Sequence, residues 1–223
     1  MRFDRVVAAS ALVLTAGALL ITTGVSRVAP PALALNDPAA ANRLIALMQR
    51  GEHATYIADY AISEANGRFQ STETVAQTTG TYLERAGSSL QIQHNGVAYD
   101  CESAGVNGGC ARVGAVQKSL PDSEVILVAN LIGAYGVFRA GSRTIAGEKA
   151  ECFRLAAISS AHELSGIGNE EDACYAADGI PLRTRLVKAT GIDERVAQRV
   201  LRTWDRRAIS SLLAGFESPS LGG

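Results

Sequence analysis

Histidine and the familiar catalytic signatures are what this chain lacks. It has three histidines among 223 residues. None of His53, His94 and His162 stands at a spacing that shares a metal or assists a nucleophile. G-x-S-x-G, H-E-x-x-H and C-x-x-C do not occur, which removes the usual hydrolase, zinc-protease and thiol-redox readings. The glycines of Gly166-Ile167-Gly168 lack the strand, helix and lysine of a phosphate loop. Asn169-Glu170-Glu171-Asp172 lacks the alternate oxygen ligands around a glycine turn that calcium requires, and reads as a solvated loop. No enzyme, metal or cofactor is expected. Net charge is short as well: -1 overall argues against a protein built on bulk phosphate contact.

What is present fits a globular protein. Hydrophobic residues make up 47% and charged ones 19%, enough for a packed core and too apolar for disorder. The length suits one domain behind a targeting segment. Arg2 and Arg5 precede an uncharged run from Val6 to Val25, which orients the start toward the cytoplasm. Ala32-Leu33-Ala34 is an A-x-A cleavage pattern, giving a mature start at Leu35. The same run is long enough to span a bilayer if retained. Residues 1–34 are therefore read as a signal peptide or single N-terminal membrane anchor. Residues 35–223 form the exported domain, secreted or anchored to the cell membrane.

All four cysteines, Cys101, Cys110, Cys152 and Cys174, lie in that exported part. An even count in an oxidising compartment implies two disulfides with three connectivities open. Nearest-neighbour pairing is preferred, because Asn107-Gly108-Gly109 can turn the short loop back on itself. The two stretches around Cys152-Phe153 and Cys174-Tyr175 read as neighbouring strands tied together, with the turn-like Gly166–Glu171 between them.

Along the chain, Asp37-Pro38 starts a helix that carries Leu44, Leu47 and Met48 on one face and ends at Gly51. Tyr56 to Ile62 alternates as a strand, with Tyr56, Tyr60 and Ile62 on one face. Thr72–Gln77, Thr81–Arg85 and Ser89–Gln93 are further strand candidates. A hairpin from Leu90 to Cys101 turns at Asn95-Gly96, matching Leu90 and Ile92 with Val97 and Tyr99. Glu124 to Ile132 is apolar almost all round and reads as a buried helix. Asp193–Arg202 is expected as a helix and Ala208–Phe216 as a last strand. The sum is an α+β fold: an antiparallel sheet of about seven or more strands, with a few helices on one side.

Tyr56, Tyr60, Ile62, Leu90, Ile92, Tyr99, Phe153 and Leu155 are candidate lipid-binding residues, lining an apolar cavity between sheet and helices. A plain filled core uses the same residues. Arginines crowd the end of the chain: Arg183, Arg185, Arg195, Arg199, Arg202, Arg206 and Arg207, with Lys188. They offer a membrane-surface contact, or a solvated face balanced by Asp193, Glu194 and Asp205. Ala189 to Ala197 loosely matches a helix-hairpin-helix DNA motif, with Asp193 in place of its second glycine.

Six pieces together resemble a known family. They are the opening helix, the strand Thr55-Tyr56-Ile57-Ala58-Asp59-Tyr60, the hairpin Asn95–Cys101 with a loop to Cys110, the stretch Ala146–Phe153, Cys174-Tyr175-Ala176-Ala177-Asp178-Gly179-Ile180-Pro181-Leu182-Arg183, and a final strand closing on Gly215-Phe216-Glu217-Ser218-Pro219. The chain from Asp37 to Pro219 resembles secreted actinobacterial-type proteins of the lipoprotein-carrier (LolA/LppX-like) half-barrel family. That resemblance implies a curved antiparallel sheet with helices on its concave side, sheltering a lipid or lipoprotein acyl chain. Many relatives carry a lipobox cysteine and this chain has none. The family also includes envelope sensors that bind a protein partner, so a sensor or scaffold domain is the alternative function. An extracellular DNA-binding protein is the third.

Overall fold

The computed structural model describes residues 37–102, 109–115, 135–157 and 169–216. The export segment, the run Glu124–Ile132, His162 and Gly166-Ile167-Gly168 lie outside the described residues. Helix α1 (Pro38–Glu52) opens the domain as expected. The Asp37 carboxylate accepts the backbone N–H groups of Ala39 and Ala40, at 3.0 and 3.2 Å, and so satisfies two donors that the first turn leaves unpaired.

Strands follow as β1 (Tyr56–Glu64), β2 (Phe69–Thr78), β3 (Thr81–Ala86), β4 (Ser89–His94), β5 (Val97–Glu102) and β6 (Gly109–Ala115). Then come β7 (Tyr135–Ile145), β8 (Glu148–Ala157), β9 (Glu170–Tyr175), β10 (Pro181–Lys188) and β11 (Gly191–Leu201), before helix α2 (Arg206–Leu213). All belong to one 11-stranded sheet in the order β6-β5-β4-β3-β2-β1-β11-β10-β9-β8-β7. Every pairing is antiparallel, with register shifts in β1–β11, β9–β10, β5–β6 and β7–β8. Such bulges bend and twist a long sheet, and the result is the expected half-barrel. Asn95 and Gly96 both take positive φ, 48° and 77°, the conformation a two-residue hairpin turn demands.

Both disulfides pair nearest neighbours, Cys101–Cys110 and Cys152–Cys174. Each joins residues directly opposite on adjacent strands. The Cys152–Cys174 strands are therefore neighbours, as the sequence suggested, but Glu170 and Glu171 belong to β9 and not to a loop. Asp172 is buried, and its carboxylate accepts Arg154 Nε at 2.8 Å.

Two expectations are reversed at the C-terminus. Asp193–Arg202, expected as a helix, lies almost wholly in β11, and Ala208–Phe216, expected as a strand, lies largely in α2. Ile192, Val196 and Val200 recur every four residues and so mimic a helix face. A spacing of four is even and so also fits one face of a strand. In β11 Ile192 and Val196 share a face, and the register shift opposite Asp59 and Tyr60 moves Val200 to the other. In α2, Ile209 and Leu212 share one helical face, and Phe216 packs beside them from beyond the helix end. Asp205 caps the helix by accepting the Arg207 N–H at 2.8 Å.

The two described helices pack on opposite faces of the sheet. α1 covers Phe153, Leu155, Ala173 and Tyr175. α2 covers Ile57, Ala76, Leu83, Leu90 and Ile92. Arg85 donates to the carbonyls of Ser211 and Leu212 at 2.9 Å each, placing a cation at the negative end of α2. The C-terminal end of α1 abuts the turn at Gly179, whose φ is +87° and whose missing Cβ leaves room for the Leu47 carbonyl and the Gly51 backbone.

The tips of two hairpins are stapled by Asp193. Its carboxylate accepts the Ala65 N–H at 2.9 Å and Lys188 Nζ at 2.6 Å. Burial alone would raise its pKa, but the Lys188 hydrogen bond and the Ala65 N–H outweigh it and hold Asp193 below the usual carboxylate value.

Gly179→Ala is expected to cost about 2–4 kcal/mol, because strain at positive φ adds to a backbone collision. Gly87→Ala, with φ +59° and open space around it, should cost only about 1 kcal/mol. Urea unfolding of both oxidised variants measures the difference. The Asp193 contribution is present above the unfolded pKa near 3.8 and disappears as pH falls through the lower folded value. Asp193→Asn should therefore lose about 1 kcal/mol at pH 7 and almost nothing at the acid limit, read from melts across that range.

Candidate functional site

Alternation along β1 turns Tyr56, Tyr60 and Ile62 to the α1 face of the sheet. The ladders then decide their neighbours. Glu73 of β2 lies opposite Tyr60 and Gln77 opposite Tyr56. Tyr82 of β3 lies opposite Gln77. On the other side, Ala197 of β11 faces Tyr60 and Arg195 faces Ile62. Three tyrosines and an arginine from three strands, with Glu73 and Gln77 from β2, thereby meet in one recess.

Arg195 is its centre. The guanidinium carbon stands 3.7 Å from the centroid of the Tyr60 ring, an attraction of about 2 kcal/mol when water is excluded. Its Nη2 forms an ion pair with the Glu73 carboxylate. Its Nε is buried and has no hydrogen-bond partner among the described residues. The recess is not sealed: 28% of the Arg195 side chain remains accessible, against 12% for Glu73. Burial works against the charge, but Tyr60, Glu73 and the two further tyrosines outweigh it and raise the Arg195 pKa.

The surrounding hydroxyls are anchored. Tyr60 donates to the Pro181 carbonyl at 2.8 Å, and Tyr82 donates to Glu84 at 2.6 Å. Burial, then the Glu84 charge, push the Tyr82 phenol well above its ordinary pKa. Tyr56 donates to Gln77 Oε1 at 3.4 Å. The Gln77 amide in turn donates to the carbonyls of Gly51 and Glu52, so the recess is tied to the end of α1. This arrangement has an aromatic wall and one cation, already matched by the Glu73 carboxylate, with the Arg195 Nε left as a donor.

The eight candidate lining residues do not share one surface. Tyr56, Tyr60 and Ile62 belong to the recess cluster. Leu90, Ile92 and Tyr99 lie on the opposite face beneath α2. Phe153 and Leu155 lie beneath α1. Leu90, Ile92 and Phe153 are completely enclosed.

Six of the eight residues of the C-terminal basic cluster are in ion pairs: Arg183–Glu194, Arg185–Asp172, Lys188–Asp193, Arg195–Glu73, Arg199–Asp59 and Arg202 with Glu148 and Asp178, while Arg206 and Arg207 are exposed at the start of α2. Asp193 and Glu194 act as the expected counter-charges, whereas Asp205 caps α2 instead. Ala189 to Ala197 forms a turn and a strand, so the helix-hairpin-helix reading fails on secondary structure. His94 is half-buried and its Nδ1 pairs with the Thr81 hydroxyl at 2.8 Å. Among the described residues no His, Cys, Asp and Glu cluster could hold a metal, and no helix is long and apolar enough to cross a membrane.

Arg195 was legible only as one basic residue among many. The usable signal was alternation: Arg195 and Ala197 share a face once Gly191–Leu201 is taken as a strand, and the four-residue apolar spacing concealed it.

No protein-family model and no curated protein matches the chain. Solved structures do match. The crystal structure of MucB superposes with a TM-score of 0.52 at 15% identity, over 76% of this chain and 60% of that one. The Pseudomonas aeruginosa MucA/MucB complex gives 0.51 at 16% identity, over 73% and 56%. This chain therefore spans less than two thirds of the MucB chains it resembles. LprF from Mycobacterium bovis also matches, with a TM-score of 0.40 at 13% identity over 74% and 93%. The likeness to MucB is one of fold: an antiparallel half-barrel, the architecture the sequence resemblance implied.

Removing one member of the central pair should be costly. Arg195→Met strands Glu73 and is expected to lower stability by about 3 kcal/mol. Adding Glu73→Gln should recover part of that loss, a positive coupling that a double-mutant cycle of unfolding free energies reads directly.

Proposed function

We propose that this chain is an exported, non-catalytic binding protein of the cell envelope that shelters a lipid or lipoprotein acyl chain. The observation that carries the reading is Arg195, a cation withdrawn from water against Tyr60 with Nε unpaired in a recess still partly open. An anionic head group would complete the guanidinium. Acyl methylenes would lie against Tyr56, Tyr60 and Ile62, each gaining about 0.8 kcal/mol on leaving water. Leu90, Ile92, Tyr99, Phe153 and Leu155 then serve beneath this surface as the packed support that keeps it rigid. The two disulfides and the charged-then-apolar start at residues 1–34 support an extracytoplasmic location, with that segment acting as signal peptide or anchor.

A second reading is an envelope sensor or scaffold that binds a protein partner. It is favoured by the match to MucB, which is crystallised with MucA. In this reading the tyrosine recess is a structural joint.

Native mass spectrometry of the oxidised protein from its own envelope separates the two. The expected mass lacks four hydrogens, one pair per disulfide, and carries a lipid adduct that survives detergent exchange. The paired variant Arg195→Met with Glu73→Gln should lose the adduct while staying folded. A protein with no adduct, even after incubation with the cell's own lipids, overturns the lipid reading in favour of the partner-binding one.

A further inference from the structure

β7 ends the sheet, and its outer edge has a definite hydrogen-bonding pattern. The β7–β8 hairpin turns at Ala146-Gly147, both at positive φ, 51° and 79°, so Ile145 and Glu148 form the hydrogen-bonded pair that closes a two-residue turn. Counting back along the register, Thr144 and Ser142 direct their backbone N–H and C=O groups outward. The shift between Arg139 and Gly141 resets the count, so Arg139 and Val137 also point outward. One independent contact agrees: the Asp37 N–H donates to the outward carbonyl of Val137 at 3.3 Å. Among the described residues, nothing continues that pairing along Arg139, Ser142 and Thr144.

The charge beside this edge is one-sided. A cleft of about 520 Å³ runs between α1 and the β7–β8 hairpin, lined by Arg43, Arg139, Ser142, Lys149 and Glu151 among others. Glu151 is its one carboxylate, shared by Arg43 at 2.9 Å and Arg139 at 3.4 Å. Among the described residues Lys149 has no ionic partner, and Arg139 remains 57% accessible. The neighbouring Glu148 is committed to Arg202. Among the described residues, cations thus exceed carboxylates along a strand edge whose outward backbone groups no strand pairs.

We propose that the β7 edge from Arg139 to Thr144 docks an acidic, extended segment of a partner protein, which adds as a further strand. Main-chain hydrogen bonds to Arg139, Ser142 and Thr144 supply the affinity. Alternate acidic side chains meet Arg43, Arg139 and Lys149 and fix the register. A second copy of this chain is the poorer occupant, because antiparallel pairing of two β7 edges sets Arg139 and Arg143 against their own kind. Arginines also guard an edge against unwanted pairing, and that role predicts no acidic ligand. The proposal is independent of the lipid reading, since Arg195 takes no part in it.

The test uses the oxidised full-length chain and a fluorescent seven-residue peptide of alternating Glu and Thr, followed by anisotropy. Two control peptides accompany it, one with Lys in place of Glu and one N-methylated on the amides of one edge. Salt-sensitive binding of the Glu peptide alone is expected. Ser142→Pro removes an outward donor but no ladder bond to β8, and should weaken binding at least about tenfold. Arg139→Glu should do the same by charge, and circular dichroism with disulfide mapping confirms that both variants fold. Equal binding of the N-methylated peptide, or unchanged affinity in folded Ser142→Pro, shows charge attraction without strand addition and overturns the proposal. No binding of the Glu peptide, or its exclusion by dimers joined at β7, overturns it as well.

Discussion

The pairing of β1 with β11 is the constraint on which the rest depends. Every other ladder joins strands that are consecutive in the chain, and this one alone joins the first strand to the last. It aligns Ile57 with Leu201 and Ser63 with Glu194, welding two runs of hairpins into one sheet. Such closure has a high entropic cost, because most of the chain must be ordered before the pair is made. Both faces of the joint are reinforced: Tyr60 and Arg195 stack on one side, and the Asp59–Arg199 ion pair sits on the other. The register shift at Asp59 and Tyr60 gives the seam its bend.

That seam also creates the recess. Tyr60 from β1 and Arg195 from β11 come together only because these strands pair, and Glu73 and Tyr82 are delivered by the next two ladders. An arginine there could have been replaced by a leucine with less desolvation. A buried, hydrogen-bonded charge more often marks a site or a unique register than a gain in stability. The lipid-binding proposal takes the first meaning. The β7 edge is a separate surface, bordered by α1 and the tip of the β7–β8 hairpin, so a half-barrel of this kind can present two binding elements without their competing.

How much was legible follows the range of the interactions. The Asp37-Pro38 helix start, the Asn95-Gly96 hairpin and the Cys152–Cys174 strand pair rest on residues close in sequence or on fixed turn chemistry, and all were readable. β11 and α2 were read in each other's conformation. In β11 Ile192, Val196 and Val200 stand four apart, a spacing that fits a helix face as well as a strand face. In α2 the Asp205 cap and the Ile209, Leu212 pair were local signals that a strand-rich neighbourhood obscured. The apolar candidates were correctly seen as inward-facing along each strand. Alternation alone does not say which side of a sheet is shared between strands distant in sequence, so Leu90 and Ile92 were grouped with Tyr56 and Tyr60, from which the sheet itself separates them.

By itself, then, the sequence determined most of the local elements and made nearest-neighbour pairing the preferred connectivity of its four cysteines. These follow from backbone preferences, turn residues and compartment chemistry, which act over a few residues or on composition. Only the tertiary structure decided that Arg195 meets Tyr60 and Glu73, that the basic residues from Arg183 to Arg202 are held in ion pairs, and that β7 is left at an edge. Each of those depends on which strands adjoin. That choice is made by the whole sheet at once, through registers and bulges, and no short segment encodes it.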